Sequence, residues 1–399
     1  MKRETLSDAF NLLDDNIIEE TAALRSHPAR RRGWIRWVAA AAALVLVGYG
    51  GLSGLFREDR SALPMLTISQ DFGGMGFEGY WAYDISQLVS ANPWQDTAEG
   101  TLLPVFENPL RYDENHIAHG GDFETMEQVL LETAKNLGLD TDSLEITDNT
   151  PDEETRRQIT EKMTLTGGSL PPGYFDPDRL IAQAEGIRIE VDLSLTVRVE
   201  FSPAVSLPEP YVFEHYATYE QCLETAQYLQ ETYVSLLGER TALNVSGGEY
   251  NIYQQQSYSI SFFDASGSDI RQILSYNFGQ TEFCCDDEGK LFLIRASYPD
   301  LSKVGDYPVI TSEQARQLLI QGSYVTSVPY EMPGEEYIRK VELTYRTGSD
   351  LYFMPYYRFY VEIPQEQWGE MKTYGAYYVP AVEQRYISNM PSWDGSFNS

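Results

Sequence analysis

The stretch GIRIEVDLSLTVRVEF, residues 186–201, carries the strongest fold signal in the chain. Apolar side chains alternate with polar ones from Ile187 to Phe201 without a break. This period of two is typical of a β-strand with one buried side and one solvent-facing side. Because Glu185-Gly186 has the composition of a turn, we expect a hairpin that pairs this strand with residues 180–184.

Helical patterns occur on both sides of this strand, and each is followed by predicted strands. Apolar residues at helical spacing, with a glycine after each segment, predict helices over residues 123–137, 219–237 and 312–321. Predicted strands cover 281–285, 291–298, 337–346, 353–363 and 374–382, and residues 151–155 and 169–177 have loop-like composition. This recurrence predicts a strand-rich α+β region, with a hint of repeated helix-then-strands modules.

An uncharged apolar stretch, WVAAAAALVLVGYGGLSGLF, occupies residues 37–56. A helix of this length spans about 30 Å, the thickness of a hydrocarbon core. Five arginines crowd its N-terminal side, so the positive-inside rule places the N-terminus in the cytoplasm. A cleaved signal peptide is the competing interpretation, but the region before the apolar stretch is longer than such peptides have. We therefore predict a single-pass transmembrane helix that acts as an uncleaved signal anchor.

The N-terminal tail predicts a second helix, amphipathic, over residues 5–24. One stripe of this helix would carry Leu6, Phe10, Leu13 and Ile17. A stripe on an isolated helix needs a partner protein or the membrane surface to cover it. The polar side of the helix is acidic, which disfavours an anionic leaflet. We therefore expect these residues to bind a cytoplasmic protein, with a marginal, partly disordered helix as the remaining option.

These signals together predict the organisation of the chain. A cytoplasmic tail (1–36), a transmembrane helix (37–56) and a tether (57–64) precede three extracytoplasmic α+β modules, over 65–205, 206–310 and 311–399. The protein is thus expected at the cell membrane, with its C-terminal region outside.

Charge and cysteine content exclude several functions. The net charge is −31, and residues 37–399 carry 22 basic and 54 acidic side chains. Such a surface repels phosphate backbones, so no nucleic-acid partner is expected outside the cell. The three cysteines, Cys222, Cys284 and Cys285, form no disulfide framework and no C-x-x-C pair.

Several local patterns resemble known dinucleotide or metal sites. Residues 74–79 match G-x-G-x-x-G, but the flanking segments do not predict the strand and helix of a dinucleotide site. His116, His119 and Asp122 could hold a metal ion, and a solvated loop is the favoured alternative. Asp140 and Asp142 begin like a calcium loop whose next ligand positions do not match. We therefore expect no catalytic, cofactor or metal residues, and no enzyme.

Tyrosines occur in three runs, at residues 250–258, 352–360 and 374–378. Tyrosine favours strands, so these runs are interpreted first as strands. Sugar or peptide binding on exposed rings is the second interpretation.

The chain resembles a family of membrane-anchored proteins from gut Gram-positive bacteria. The resemblance rests on GGMGFEGYWAYDI, ANPW and LPVFENPL within 71–110, on DDEGKLFL, VPYEMPGEEY and FMPYYRFYVEIP, and on YGAYYVPAVEQRYISNMPSWDGSF. It also covers the tail sequence DAFNLLDDNIIEE and implies no established activity. The layout is similar to that of membrane-anchored anti-sigma factors, without the zinc motif common in those proteins. The C-terminal part is similar to extracytoplasmic accessory proteins of cell-wall histidine kinases.

The function expected from the sequence is therefore non-enzymatic. A large acidic external region would sense or bind a ligand, and the tail would regulate an envelope response through its partner. The alternative is a ligand-binding or structural module at the cell surface with an inert tail.

Overall fold

The computed structural model describes residues 63–68, 77–108, 122–170, 173–184, 186–347, 350–393 and 395. Its six α-helices are α1 (Phe123–Asn136), α2 (Glu153–Leu165), α3 (Tyr219–Thr232), α4 (Val234–Leu237), α5 (Asp269–Phe278) and α6 (Ser312–Ile320). The first eight strands are β1 (Gly79–Ala82), β2 (Leu102–Glu107), β3 (Ile146–Asp148), β4 (Arg179–Ala184), β5 (Ile187–Asp192), β6 (Thr196–Val205), β7 (Thr241–Tyr250) and β8 (Gln256–Asp264). The other eight are β9 (Thr281–Cys285), β10 (Leu291–Ser297), β11 (Lys303–Pro308), β12 (Val325–Thr326), β13 (Ile338–Tyr345), β14 (Tyr352–Phe353), β15 (Pro355–Trp368) and β16 (Met371–Pro380).

These strands form three sheets in which every strand pair is antiparallel. The largest sheet has eight strands in the order β3-β4-β5-β6-β10-β9-β8-β7. A five-stranded sheet has the order β1-β16-β15-β13, with β12 also paired to β16, and a three-stranded sheet has the order β11-β2-β14. Strands from the start and the end of the described chain therefore lie side by side.

The stretch 186–201 forms a hairpin, so the prediction of one uninterrupted strand is wrong. β5 ends at Asp192, whose side-chain Oδ1 accepts hydrogen bonds from the backbone N of Ser194 at 2.8 Å and of Thr196 at 3.1 Å. Leu195 takes a left-handed conformation with φ 57°. The register pairs Ile189 with Val199, so the apolar alternation still lies on one face. The predicted pairing with residues 180–184 is confirmed as β4 beside β5.

The three predicted helices are confirmed as α1, α3 with α4, and α6. Thr218 and Thr311 cap the N-termini of two of these helices in capping boxes. The side-chain oxygen of each threonine accepts a hydrogen bond from the backbone N three residues further on. The segment predicted over 219–237 is interrupted at Tyr233, between α3 and α4. The strands predicted over 281–285 and 291–298 are also confirmed, and they pair as the hairpin of β9 and β10.

Two helices differ from the sequence interpretation. Residues 151–155, predicted as a loop, begin α2, where the Asp152 side chain accepts from the backbone N of Thr155 at 2.7 Å. N-terminal cap residues are also turn residues, so a helix start resembles a loop in composition. Helix α5 was not predicted, although Ser268 caps its start in the same way.

The main core lies between the eight-stranded sheet and helices α1 and α3. Met126, Leu130 and Leu229 are fully buried there, and they pack in one cluster with Ile189 and Val199 of the sheet. Full burial of a side chain of this size contributes about 1.5–3 kcal/mol to the free energy of unfolding. A second core covers one face of the five-stranded sheet, where α6 packs.

The predicted fold class, with its membrane-spanning helix and repeated modules, is wrong. The described residues are 37% strand and 25% helix, and no helix among them is long and apolar enough to cross a membrane. The predicted helices over 5–24 and 37–56 lie outside those residues. The strands do not form repeated modules either, because the eight-stranded sheet combines residues 146–205 with 241–297 and β1 pairs with β16. Long-range pairing, which local patterns do not encode, decides this arrangement.

Candidate functional site: a tyrosine surface around a rigid hairpin

β7 and β8 form the hairpin at one edge of the eight-stranded sheet, and residues 251–255 form its tip. The backbone N of Asn251 donates to the carbonyl of Gln255 at 3.0 Å, and the backbone N of Gln254 donates to the carbonyl of Asn251 at 2.9 Å. The Asn251 Oδ1 also accepts from the backbone N of Tyr253 at 2.8 Å and of Gln255 at 3.1 Å. Asparagine favours such turns because its side chain can bond to the backbone two residues on. These hydrogen bonds hold the tip in one conformation.

The tip displays two large side chains in solvent. Tyr253 is 75% exposed and Ile252 is 59% exposed. A single exposed apolar residue needs no explanation, whereas neighbouring ones on a hydrogen-bonded loop are typical of a contact surface. The tip is therefore a candidate for binding.

Five further tyrosines surround the tip, and with Tyr253 they are called the tyrosine surface here. It consists of Tyr83, Tyr216, Tyr219, Tyr250, Tyr253 and Tyr258. The rings of Tyr83 and Tyr250 are 5.2 Å apart between centroids, and those of Tyr219 and Tyr258 are 5.6 Å apart. The Asn251 Nδ2 donates to the Tyr216 hydroxyl at 3.4 Å. Three separate segments of the chain thus contribute to one surface.

The segment after β1 is tied to the hairpin. The Gln87 Nε2 donates to the Tyr250 hydroxyl at 3.2 Å, and Val89 and Gly247 form an antiparallel bridge. Gly248 lies so close to this segment that a Cβ atom there would be 1.9 Å from the Gln87 carbonyl oxygen. Only glycine allows this approach, which brings Tyr83 against Tyr250.

The surface offers aromatic rings and hydroxyls as contact groups. Burial, followed by the neighbouring Tyr250, raises the pKa of Tyr258. Its hydroxyl therefore stays protonated at neutral pH and serves as a hydrogen-bond donor and acceptor rather than as a base. Tyrosine also offers a large apolar face at a small cost in side-chain entropy, which is why it is common in binding surfaces.

A cysteine, a histidine and an aspartate meet beside this surface. The Cys285 Sγ is 3.7 Å from His215 Nδ1, and His215 Nε2 is 3.5 Å from Asp287 Oδ1. Burial raises the pKa of the Cys285 thiol, and Asp286 and Glu214 raise it further. The sulfur is consequently a thiol at neutral pH, whereas nucleophilic chemistry requires the thiolate. This cluster is a polar contact between two loops.

A buried ion cluster links β13 and β15 in the five-stranded sheet. Glu342 is buried, and its carboxylate oxygens lie 2.7 Å from Arg358 Nη2 and 2.6 Å from Lys340 Nζ. The Ser90 hydroxyl donates to the same carboxylate at 2.8 Å. The Arg358 guanidinium also lies over the Tyr360 ring, 4.9 Å from its centroid. Because Ser90 belongs to the segment after β1, this cluster fastens that segment to the sheet.

The ion cluster predicts a loss of stability in acid. Burial raises the pKa of Glu342, but Arg358 and Lys340 lower it more, to about 2 from an ordinary 4.5. Because the pKa of Glu342 is lower in the folded protein than in the unfolded one, ionised Glu342 stabilises the fold. This contribution is complete above pH 4.5 and is lost as the pH falls towards 2. We expect Glu342 to contribute about 3 kcal/mol near neutral pH.

The measurement is urea unfolding of the wild type and Glu342→Gln across this pH range. The difference in the free energy of unfolding should be largest near neutral pH and should shrink towards pH 2. A difference that does not change with pH would show that ionised Glu342 is not the stabilising species.

Most of the sequence-predicted site residues lie outside the part of the chain that the structure describes. The stripe of Leu6, Phe10, Leu13 and Ile17 lies outside the described residues, as do His116, His119 and the first glycines of the G-x-G-x-x-G match. Gly79, the last glycine of that match, begins β1. Asp122 and Asp140 cap helical turns through their side chains. Within the described ranges, no group of three or more His, Cys, Asp or Glu side chains could hold a metal ion.

Sequence reasoning missed half of the tyrosine surface. It named Tyr250, Tyr253 and Tyr258, with strands as the first interpretation, and strands β7 and β8 do flank the tip. Nothing in their spacing indicates that Tyr83 and Tyr216 join them. One signal was available: Ile252-Tyr253 follows an asparagine between two strand-like runs, where a turn should be polar.

Comparisons with known proteins identify no family. No family model matches the chain, and no curated protein matches it. Among solved structures, the chain is similar to an uncharacterized protein from Eubacterium rectale ATCC 33656, with 10% identity and a TM-score of 0.30 over 70% of this chain and 84% of that one. A TM-score this low transfers neither fold nor function.

Proposed function

We propose that this chain is a non-enzymatic binding protein of the cell membrane, whose C-terminal region recognises a ligand outside the cell through the tyrosine surface. The observation that carries the proposal is the hydrogen-bonded tip that holds Tyr253 75% exposed. A surface prepared before binding loses little conformational entropy when a ligand arrives. Regulation through a cytoplasmic partner of the tail remains a prediction from sequence.

The location rests on charge. Five arginines at residues 25–36 precede the apolar stretch 37–56, and the residues after it carry a large excess of acids. The tail is accordingly proposed to be cytoplasmic and the acidic region extracytoplasmic.

The proposal is tested by probing arrays of peptides and neutral glycans with the full-length protein in an uncharged detergent. Tyr253→Ala should weaken binding of the recognised ligand about thirtyfold, the effect of removing one central aromatic anchor. The control is Leu165→Ala, because Leu165 is 87% exposed at the end of α2 and lies outside the tyrosine surface. Binding that is unchanged in Tyr253→Ala, or equally weakened in both variants, would overturn the proposal.

A further inference from the structure

We infer that the ligand of the tyrosine surface is a cationic polypeptide segment, one that carries Lys or Arg beside apolar side chains. The inference rests on the proposed function and specifies the ligand of the same site.

The segments that build the tyrosine surface contain no positive side chain. Residues 61–110 supply Tyr83, residues 199–239 supply Tyr216 and Tyr219, and residues 241–270 supply the three hairpin tyrosines; none of these segments contains Lys or Arg. The middle segment alone carries seven glutamates. A surface built entirely from such segments has a negative potential that attracts cations and repels anions.

Three carboxylates next to the tyrosines lack a counter-ion within the described residues. Within the described part of the chain, Glu214, Glu220 and Glu249 take part in no ion pair, and Glu214 and Glu220 are exposed. Lys290, the cation of the β9–β10 turn, is bonded to Glu288. These carboxylates are therefore available to a partner.

Acids accompany the rings along the chain, and Glu220 is near enough to Tyr258 to act on its charge. Glu214 is two residues from Tyr216, and the charge of Glu220 contributes to the raised pKa of Tyr258. Glu249 precedes Tyr250 on the hairpin. A Lys or Arg side chain can lie over a tyrosine ring and reach a carboxylate at the same time, so that both attractions add.

The apolar part of the ligand follows from the tip. Ile252 and Tyr253 offer apolar area that a purely ionic ligand would leave exposed. A neutral oligosaccharide could stack on the rings and donate hydroxyl hydrogen bonds to the carboxylates, but it would gain no charge attraction from them. A peptide that combines cationic and aliphatic side chains uses both features.

The test measures fluorescence anisotropy of dye-labelled peptides with the full-length protein in an uncharged detergent. The probes are a short peptide of Lys, Leu and Gly and its counterpart with Gln in place of every Lys. We expect the Lys peptide to bind about tenfold or more tightly than the Gln peptide, and its affinity to fall as salt rises. Tyr253→Ala should weaken binding of both peptides.

Charge variants separate specific binding from general attraction to an acidic protein. The double variant Glu214→Gln, Glu220→Gln should weaken the Lys peptide and leave the Gln peptide unchanged. The matched control is Glu127→Gln with Glu145→Gln, which removes two exposed charges on α1 and before β3, at the other end of the eight-stranded sheet. Equal weakening by both double variants, with no effect of Tyr253→Ala, would overturn the inference.

Two further outcomes distinguish this inference from the proposed function. Equal affinity for the Lys and Gln peptides, lost in Tyr253→Ala, would overturn the cationic ligand and leave the binding surface in place. If neither peptide bound, but a glycan bound to the wild type and not to Tyr253→Ala, the cationic ligand would also be overturned and the binding surface would stay in place.

Discussion

Replacing Arg358 by methionine should destabilise the fold by about 3 kcal/mol, because it leaves the buried Glu342 carboxylate with only part of its compensation. The Arg358 side chain is 20% exposed, and its Nη2 lies 2.7 Å from that carboxylate. Methionine keeps much of the apolar volume, so the effect measures the charge more than the packing. Lys340 stays near the carboxylate at 2.6 Å, which keeps the loss at the lower end of the range for broken buried pairs. The measurement is the free energy of unfolding in urea at neutral pH.

The matched control for this prediction is Arg157→Met on α2. Arg157 also bonds a glutamate, Glu154, at 2.6 Å, but the two side chains are 61% and 58% exposed. Exposed pairs contribute little, so this variant should unfold at nearly the same urea concentration as the wild type. The double variant Arg358→Met, Glu342→Gln should be more stable than Arg358→Met alone, since no buried carboxylate is left without its arginine and the 30% exposed Lys340 side chain can be solvated. Equal effects of Arg358→Met and Arg157→Met would contradict the assigned role of the ion cluster.

Gly248→Ala should cost about 3 kcal/mol of stability and disturb the tyrosine surface. Gly248 has φ +101°, and a Cβ atom there would lie 1.9 Å from the Gln87 carbonyl oxygen. The unfavourable backbone conformation and the forced separation of the two segments both contribute. Because the same segment carries Tyr83, ligand binding should fall as well. Stability is measured by urea unfolding, and binding with the probe that the wild type recognises.

Gly238→Ala separates the two contributions at Gly248. Gly238 has a similar φ of +87°, but nothing lies within 4 Å of a Cβ atom there. This variant should therefore cost only the backbone term, about 1–2 kcal/mol, and leave ligand binding intact. If the two glycine variants behaved alike, the close approach of Gln87 to the hairpin would not matter to the fold.

Local patterns predicted the elements of this fold better than their arrangement. Apolar residues at helical spacing, with a glycine after each segment, located the helices that begin after Thr218 and Thr311, because these signals depend on neighbouring residues. The alternation over 187–201 correctly assigned the buried face but concealed the turn, since Leu193 and Leu195 keep a strand-like pattern through it. The pairing of β1 with β16 brings together residues far apart in sequence, and no local pattern encodes it.

The tyrosine surface, which is proposed to bind a ligand, was harder to predict for the same reason. Tyrosine is common in strands, so its presence alone does not separate a core position from a surface one. Tyr377 is fully buried in the five-stranded sheet, whereas Tyr253 is 75% exposed at the tip. The difference comes from Asn251, whose side chain bonds turn the backbone and direct the next residues outward. Tyr83 reaches the surface only because Gly248 admits the segment that follows β1.

Photo-cross-linking on intact cells tests most directly whether the exposed tip is a contact site outside the cell. A photoreactive phenylalanine analogue is placed at Tyr253 in one variant and at Leu165 in another, since both side chains are highly exposed, at 75% and 87%. Light should produce an adduct at position 253 that a membrane-impermeant competitor peptide of Lys, Leu and Gly reduces, and no such adduct at position 165. Equal adducts at both positions would contradict the claim that the tip is a contact site. An adduct at position 253 that the external peptide reduces only after the cells are opened would contradict its location outside the cell.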